Sequence, residues 1–323
     1  MKILYYTYPW AFDCLGGGER QLMAYRSHLA KLGIQIHLYD MWNPQFKDAS
    51  IFHLFSTMPS TVEIADYAKR QGLKLVVSPN LWVTKETKSQ YQENTIWNLF
   101  ELADAIIANS NAELNVLSDT FGFPPEKFHV VYNAADTDFL LQEDSSIFRN
   151  TYNIEGPYVL NVANIETRKN QLRFLKVLRQ ERPDLSLVIA GNMRDPQYAE
   201  ACREAGGDKL VVVGQLPYAS PMLRSALCGC EFFAMPSLIE TPSIAAIEAA
   251  AIGAKILLTD QGSTTEYFGQ SVTYVNPELE SSLAAGIKAT AQATNENSTW
   301  VARHDYLWPR VIPSLVNVYE SLL

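Results

Sequence analysis

The 323-residue chain is long for a single hydrophobic core and comfortable for two domains of roughly 150 residues each. Its composition, 47% hydrophobic and 19% charged, excludes a disordered chain. A net charge of −9 argues against nucleic acid and anionic membrane as partners of the bulk surface.

The amino terminus enters an apolar strand pattern at Lys2, with no basic region and no long apolar run, so neither a signal peptide nor a membrane span is expected. Apolar runs of strand length then alternate with amphipathic stretches, the βαβ pattern of parallel sheets covered by helices. In the first half the strands fall at 3–6, 34–39, 51–55, 73–77, 105–108 and 129–132. A helix starting near Gly18 places Leu22, Tyr25, Leu29 and Leu32 on one side at intervals of three and four. The polar stretch 142–156, with Glu143-Asp144-Ser145-Ser146, interrupts the alternation and marks a domain boundary. Strands resume at 158–162, 185–190, 210–213, 232–235 and 255–258. From Trp300 onward the tail holds enough apolar side chains to dock as a helix, with Pro309 and Pro313 bending or restarting it.

Cys14, Cys202, Cys228 and Cys230 have no accompanying Cys/His cluster and read as structural thiols; with no leader, they favour the cytoplasm. The histidines, His28, His37, His53, His129 and His304, include no pair at metal-ligand spacing and also read as structural. No Asp-x-Asp metal motif is present, and no metal is expected.

Three segments carry chemistry. The first strand is followed by Asp13-Cys14-Leu15-Gly16-Gly17-Gly18-Glu19-Arg20, whose glycines suit a tight strand-to-helix turn and equally let an oxygen-rich ligand approach the amides. Glu19 and Arg20 read either as a helix-start pair on the surface or as groups facing a ligand. In the second half, Arg168 and Lys169 lie in the loop after a buried strand, at the carboxyl edge where open α/β sheets bind ligands, and they can neutralise a departing diphosphate. Further on, Glu240 precedes a helix and Glu248 lies along it. Thr241 suits the cap, Pro242 the first turn and Gly253 the close, which leaves the Ser243 and Ile244 amides facing out of a positive helix end. A diphosphate held there would bring its ribose to Glu248, about 6 Å further along the axis.

In chain order, Gly16-Gly17-Gly18-Glu19-Arg20, Ala108-Asn109-Ser110, Val131-Tyr132-Asn133-Ala134-Ala135-Asp136-Thr137-Asp138-Phe139, Ile165-Glu166-Thr167-Arg168-Lys169-Asn170, Met235-Pro236-Ser237 and the Glu240/Glu248 pair resemble glycosyltransferase family 4. The resemblance spans nearly the whole chain. It implies an α/β GT-B fold: two Rossmann-like domains whose parallel sheets face an interdomain cleft, with a C-terminal helix crossing back to the first. The domains would be 1–150 for the acceptor, 151–299 for the nucleotide sugar, and 300–323 packing on the first.

The implied activity is retaining, metal-independent transfer of a hexose or related sugar from a nucleoside diphosphate sugar to a glycan or lipid-linked hydroxyl acceptor. No cofactor beyond that donor substrate is implied. Glu240, Arg168 and Lys169 would be catalytic. Gly16, Gly17, Gly18, Asn164, Leu216, Thr241, Pro242, Ser243, Ile244 and Glu248 would bind the donor, with Leu216 in the loop that seats the base. Trp10, Glu19, Arg20, Asn80 and Trp82 would face the acceptor.

The chain departs from the family at three places. Asn164 stands where many relatives have arginine, Asn133-Ala134 replaces Asn-Gly, and Val77-Ser78-Pro79-Asn80-Leu81-Trp82 lacks the family's histidine. These departures keep open a non-catalytic nucleotide-sugar-binding subunit, alongside a phosphorylase-like or sugar-nucleotide-hydrolysing enzyme. The setting of relatives implies glycan or glycolipid synthesis in the cytoplasm, with at most peripheral contact at the inner membrane face.

Overall fold

A computed structural model describes residues 1–293 and 306–323. Trp300 and His304 of the tail lie outside the described residues. The chain forms two compact units, Met1–Asn133 with Trp308–Leu323, and Ala134–Leu307.

The first unit is a six-stranded, wholly parallel sheet of β1 (Lys2–Tyr6), β2 (Gln35–Leu38), β3 (Ile51–Leu54), β4 (Lys74–Val77), β5 (Ala105–Ala108) and β6 (Phe128–Val130), in the order β2-β1-β3-β4-β5-β6. Strands β3 and β5 are buried end to end, and β1 and β4 are largely buried beyond an exposed first lysine, because helices cover both faces, so they read as continuous apolar runs. Alternate residues serve the two faces. Leu4, Phe52 and Leu54 join the core lined by α2 (Thr61–Arg70) and α3 (Glu93–Leu102). Tyr5 and His53, opposite each other in register, face α1 (Gly17–Lys31) and the C-terminal helix (Trp308–Ser321).

That second face is where the tail is held. Trp308 meets Tyr25 of α1 edge-on at 5.7 Å, and the Tyr319 hydroxyl hydrogen-bonds Tyr5 at 2.9 Å and His53 Nδ1 at 2.6 Å. The other ring nitrogen of His53 lies 2.8 Å from the Ser78 hydroxyl, just after β4. Pro309 falls in the first turn of this helix, while Pro313 lies within it and the helix continues. On α1, Leu22, Tyr25 and Leu29 are buried as their spacing predicts, but Leu32 is 57% exposed because the helix ends at Lys31 and the chain turns at Gly33.

The second unit repeats the architecture with β7 (Tyr158–Asn161), β8 (Ser186–Ile189), β9 (Leu210–Val212), β10 (Phe232–Met235), β11 (Ile256–Thr259) and β12 (Thr273–Val275), all parallel, in the order β12-β11-β10-β7-β8-β9. The edge strand β12 escapes sequence reading because Thr273-Tyr274-Val275 is short and half polar. Among the described residues no helix is long and apolar enough to cross a membrane.

The boundary differs from the one at 150 read from polarity. The stretch around Glu143 is the start of α5 (Ser145–Tyr152), and it belongs to the second unit. Asp144 caps that helix by accepting from the Ser146 amide at 2.8 Å, Glu143 pairs with Arg224 at 2.9 Å, and Phe148 is buried. Ser225 of α8 (Pro221–Gly229) bridges the Asp144 carbonyl and the Phe148 amide. The polar residues cap and anchor a helix; they do not link domains. Cys228 and Cys230 close α8, and burial pushes the Cys230 thiol up to about 12, away from the reactive thiolate.

Burial holds His53 well below its ordinary pKa of 6.5, so the ring is neutral when folded. The unfolded chain takes up a proton as the pH falls through about 6.5 and the folded chain does not. The neutral ring's contribution to stability is therefore complete above that pH and is lost on acidification toward the lowered folded value. Denaturant unfolding between pH 8 and 5 should show a slope of up to about 1.4 kcal/mol per pH unit below pH 6.5 that His53→Gln largely removes. At pH 8, Tyr319→Phe should cost about 1–2 kcal/mol. Half-buried His129, also held below its ordinary value by burial, leaves a smaller residual slope, and a slope unchanged by His53→Gln would contradict this account.

Candidate active site

In an open parallel sheet the ligand crevice lies beyond the carboxyl ends of the strands, where the strand order reverses. In the second unit the chain runs outward from β7 through β8 to β9, and β10 then pairs with the opposite side of β7. The loops after β7 and β10 therefore meet at the reversal, and they carry Arg168, Lys169 and Glu240.

Residues Thr167–Lys169 form a short 3-10 turn, followed by Asn170 in the left-handed region at φ 57°. Asn170 Nδ2 donates to the Pro236 carbonyl at 3.1 Å and the Pro277 carbonyl at 2.8 Å, and the Leu238 backbone amide donates to the Arg168 carbonyl at 2.9 Å. This ties the β7 and β10 loops together. Lys169 Nζ then lies 2.7 Å from Glu240 Oε1, with both side chains largely buried. Half-exposed Arg168 stands 3.8 Å from the same oxygen, while also pairing with Glu166 at 3.0 Å and donating to the Ile239 carbonyl at 3.2 Å. Burial pushes the Glu240 carboxyl up, but the charges of Lys169 and Arg168 outweigh it and leave the group below the ordinary carboxylate range. Glu240 is thus ionised. Lys169 is drawn down by burial and supported against it by Glu240.

The backbone of Glu240 is fixed from a third side. Its amide donates to the Gln261 carbonyl at 3.3 Å and its carbonyl accepts from the Ser263 amide at 3.0 Å, in the loop after β11. Between them Gly262, at φ +94°, lies so close that a Cβ there would meet the Glu240 carbonyl oxygen at 2.0 Å. Sequence reading missed Gly262 and Asn170 as parts of the site. Their signals were a glycine in Asp260-Gln261-Gly262-Ser263 and an asparagine just ahead of a helix, both common in ordinary loops.

The helix after Glu240 is α9 (Ile244–Ile252), and its cap differs from the expectation. Ser243, not Thr241, caps it, accepting from the Ala246 amide at 3.2 Å, and Pro242 lies ahead of the helix. A serine in extended backbone two residues later satisfies the first-turn donor better than the threonine beside the proline. The amides at the mouth of the helix are therefore those of Ile244 and Ala245. Glu248 is buried on the second turn, one helical repeat from Ile244. Asn164 is engaged by its neighbours: its Oδ1 accepts from the Asn192 amide at 3.1 Å and its carbonyl from Gln171 at 3.0 Å. Leu216 is buried in the loop after β9, past Gly214 at φ 73°.

The first unit presents the remaining residues at the carboxyl ends of its own strands. Glu19 is not the exposed group expected of an acceptor contact. It accepts from the Gly16 amide at 2.8 Å and the Tyr8 hydroxyl at 3.1 Å, capping α1. Trp10, propped edge-on at 5.6 Å by Tyr8, is 54% exposed, and Trp82 and Arg20 are partly exposed. Asn80 holds φ 52° in the loop after β4, and its Oδ1 accepts from Asn109 at 2.9 Å. Neither Gly17 nor Gly18 has positive φ. A Cβ on Gly17 would meet nothing within 4 Å, and one on Gly18 only the Asn80 amide nitrogen at 3.5 Å. The fold of this unit gives no reason for either glycine, in contrast to Gly262.

The two sheets, each with its loop-borne polar residues at the carboxyl edge, define an α/β protein of two Rossmann-like units. Residues 143–302 match the glycosyl transferases group 1 family and residues 40–139 match Glycosyltransferase Family 4. A Campylobacter jejuni N-acetylgalactosamine-N,N'-diacetylbacillosaminyl-diphospho-undecaprenol 4-alpha-N-acetylgalactosaminyltransferase is 28% identical over 200 residues, 59% of this chain and 51% of that protein. The D-inositol 3-phosphate glycosyltransferase of Jonesia denitrificans is 24% identical over 243 residues, 68% and 57% of the two chains. The chain thus spans little more than half the length of these relatives. Among solved structures, sucrose-phosphate synthase from Thermosynechococcus elongatus superposes with a TM-score of 0.81 at 17% identity, over 99% of this chain and 98% of that one. Anabaena HepE, solved with UDP and glucose, gives 0.81 at 15% identity over 99% of each. The fold is GT-B, and the chain belongs to glycosyltransferase family 4.

The contrast between the glycines is measurable. Gly262→Ala should lower stability by at least about 2 kcal/mol, whereas Gly17→Ala should leave it within about 1 kcal/mol of wild type, on the stabilising side. Thermal or denaturant unfolding checks both, and equal losses would refute the distinction.

Proposed function

We propose that the protein is a retaining, metal-independent glycosyltransferase that moves a hexose or related sugar from a nucleoside diphosphate sugar to a hydroxyl of a glycan or lipid-linked acceptor. The observation that carries this reading is the Lys169–Glu240 pair, with Arg168 beside it, at the strand-order reversal and next to the mouth of α9. The Ile244 and Ala245 amides and the two cations offer positive charge for a diphosphate, the role a divalent ion would otherwise fill. Glu248 then accepts from ribose hydroxyls, and Glu240 faces the transferred sugar. As the glycosidic bond breaks, Arg168 and Lys169 stabilise the departing diphosphate, and its phosphate oxygen takes the acceptor's proton. Gly16, Gly17 and Gly18 give the substrate close access to backbone amides of the first unit, and Trp10, Arg20, Asn80 and Trp82 form the acceptor side. The 4-alpha linkage in the name of the Campylobacter relative and the UDP and UDP-glucose bound to HepE support this choice of chemistry. We place the protein in the cytoplasm, peripheral at the inner membrane face where its acceptor is lipid-linked.

A second reading, a non-catalytic nucleotide-sugar-binding subunit, is favoured by Asn164 standing where many relatives have arginine and by the segment 77–82 lacking the family's histidine. One assay separates the two. Purified protein is incubated with a panel of nucleotide sugars, UDP-glucose first, and candidate acceptors, and diphosphate release is followed. Acceptor-dependent release supports the transferase; nucleotide binding without release across the panel supports the subunit.

For the transferase, Glu248→Ala should weaken donor binding by about tenfold to a hundredfold. Glu240→Ala should lower kcat by about a hundredfold or more with a smaller change in donor affinity. Small and equal effects of the two would sink the assignment of roles. Gly17→Ala, folded as stably as wild type, should lose at least about tenfold in kcat/KM if substrate approaches that backbone.

A further inference from the structure

The loop after β4 carries the side-chain amide of Asn80, and the structure shows what holds that amide in place. Gln21 of α1, Asn109 after β5 and Asn133 after β6 are all buried, and they converge on one another at the carboxyl end of the first unit's sheet. Gln21 Nε2 donates to Asn109 Oδ1 at 2.5 Å and to Asn133 Oδ1 at 3.0 Å. With its oxygen so engaged, Asn109 turns its own Nδ2 to Asn80 Oδ1 at 2.9 Å. The Asn109 backbone amide is held in turn by Glu113 Oε2 at 2.7 Å. The direction of donation therefore runs one way, from Gln21 to Asn109 to Asn80, and it settles which end of the Asn80 amide faces outward.

The outward end is Nδ2. It lies over Gly18, 3.5 Å from where a Cβ would stand, and among the described residues no acceptor takes its hydrogens. Asn80 itself is only partly buried and sits at φ 52°, a conformation held by its surroundings. Buried amides cost free energy unless they are bonded, and Gln21 Oε1 is buried without a hydrogen-bond partner among the described residues, a cost the fold carries to keep this row of amides. A row of apolar side chains would fill the same space without such matching. What the row of amides supplies, and apolar packing would not, is a fixed, uncharged donor beside the open glycines.

We propose that Asn109 and Gln21 are positioning residues that hold the Asn80 amide as a fixed hydrogen-bond donor to a substrate hydroxyl. This rests on the transferase reading given above. An amide neither takes nor gives a proton at ordinary pH, so Asn80 orients the sugar and the acceptor's proton leaves by the phosphate oxygen.

The test is a pair of double-mutant cycles. Asn109→Ala and Gln21→Met are each made in wild type and in Asn80→Gly, a change that removes the amide and tolerates positive φ. Kinetics use the nucleotide sugar and acceptor that release diphosphate fastest in the panel, and UDP affinity is measured alongside. In wild type, each change should lower kcat/KM by about tenfold to a hundredfold, with UDP affinity unchanged. In Asn80→Gly, the same changes should lower it by less than about twofold, since the residue they act through is gone. Equal factors in the two backgrounds would overturn the proposal and leave the network a structural one. Gln21→Met conserves volume, so its cycle stands even where Asn109→Ala fails to fold. A wild type without transfer would overturn the function and this inference together, whereas an active wild type with equal factors overturns only the inference.

Discussion

Lys169 and Glu240 meet at 2.7 Å in a largely buried setting, and the second unit is arranged around keeping them there. Removing two charges from water costs several kcal/mol per ion, and their attraction offsets this only where geometry and further hydrogen bonds are good. Here the geometry is enforced from three directions. Asn170 ties the β7 loop to carbonyls of two other loops, the Arg168 carbonyl holds Leu238, and the loop around Gly262 grips the backbone of Glu240. A hydrophobic pair would be easier to bury. So much support for a pair with little net stabilisation fixes both a positive charge and a carboxylate at one point.

The strand order explains why these loops are neighbours at all. The carboxyl ends of β7 and β10 lie side by side only because the chain reverses direction across the sheet between them. Residues 71 positions apart in sequence thereby come into hydrogen-bond contact. The first unit uses its own strand ends differently. It gathers amides, Asn80, Asn109, Asn133 and Gln21, where the second gathers charges. A charged, helix-flanked edge suits a diphosphate, and an edge of side-chain amides with a half-exposed aromatic suits hydroxyl groups.

Much of this was legible from residue order. Strands buried on both faces announce themselves as apolar runs, which is why β5 and β10 match their predicted bounds, while β12 has a single aliphatic side chain to mark it. Polarity misled at two places. Around Glu143 it signalled a linker, but capping and anchoring groups are as polar as linkers, and only the packing of Phe148 and Ser225 distinguishes them. At α9, Thr241 and Ser243 are both competent caps, and the backbone path out of Pro242 chose the serine.

By itself the sequence determined the two α/β units, the strand-to-helix loops that carry chemistry and the identity of the charged residues, because burial period and helix capping are local properties written in neighbouring residues. Tertiary structure alone decided which of those residues act together. It placed Gly262 against Glu240, made Glu19 a cap where the sequence left two readings open, and gave the Asn80 amide its direction through Gln21 and Asn109. Each of these depends on contacts between segments far apart in the chain, whose meeting is set by strand order and by the close packing of loops, and neither leaves a mark on the residues nearby.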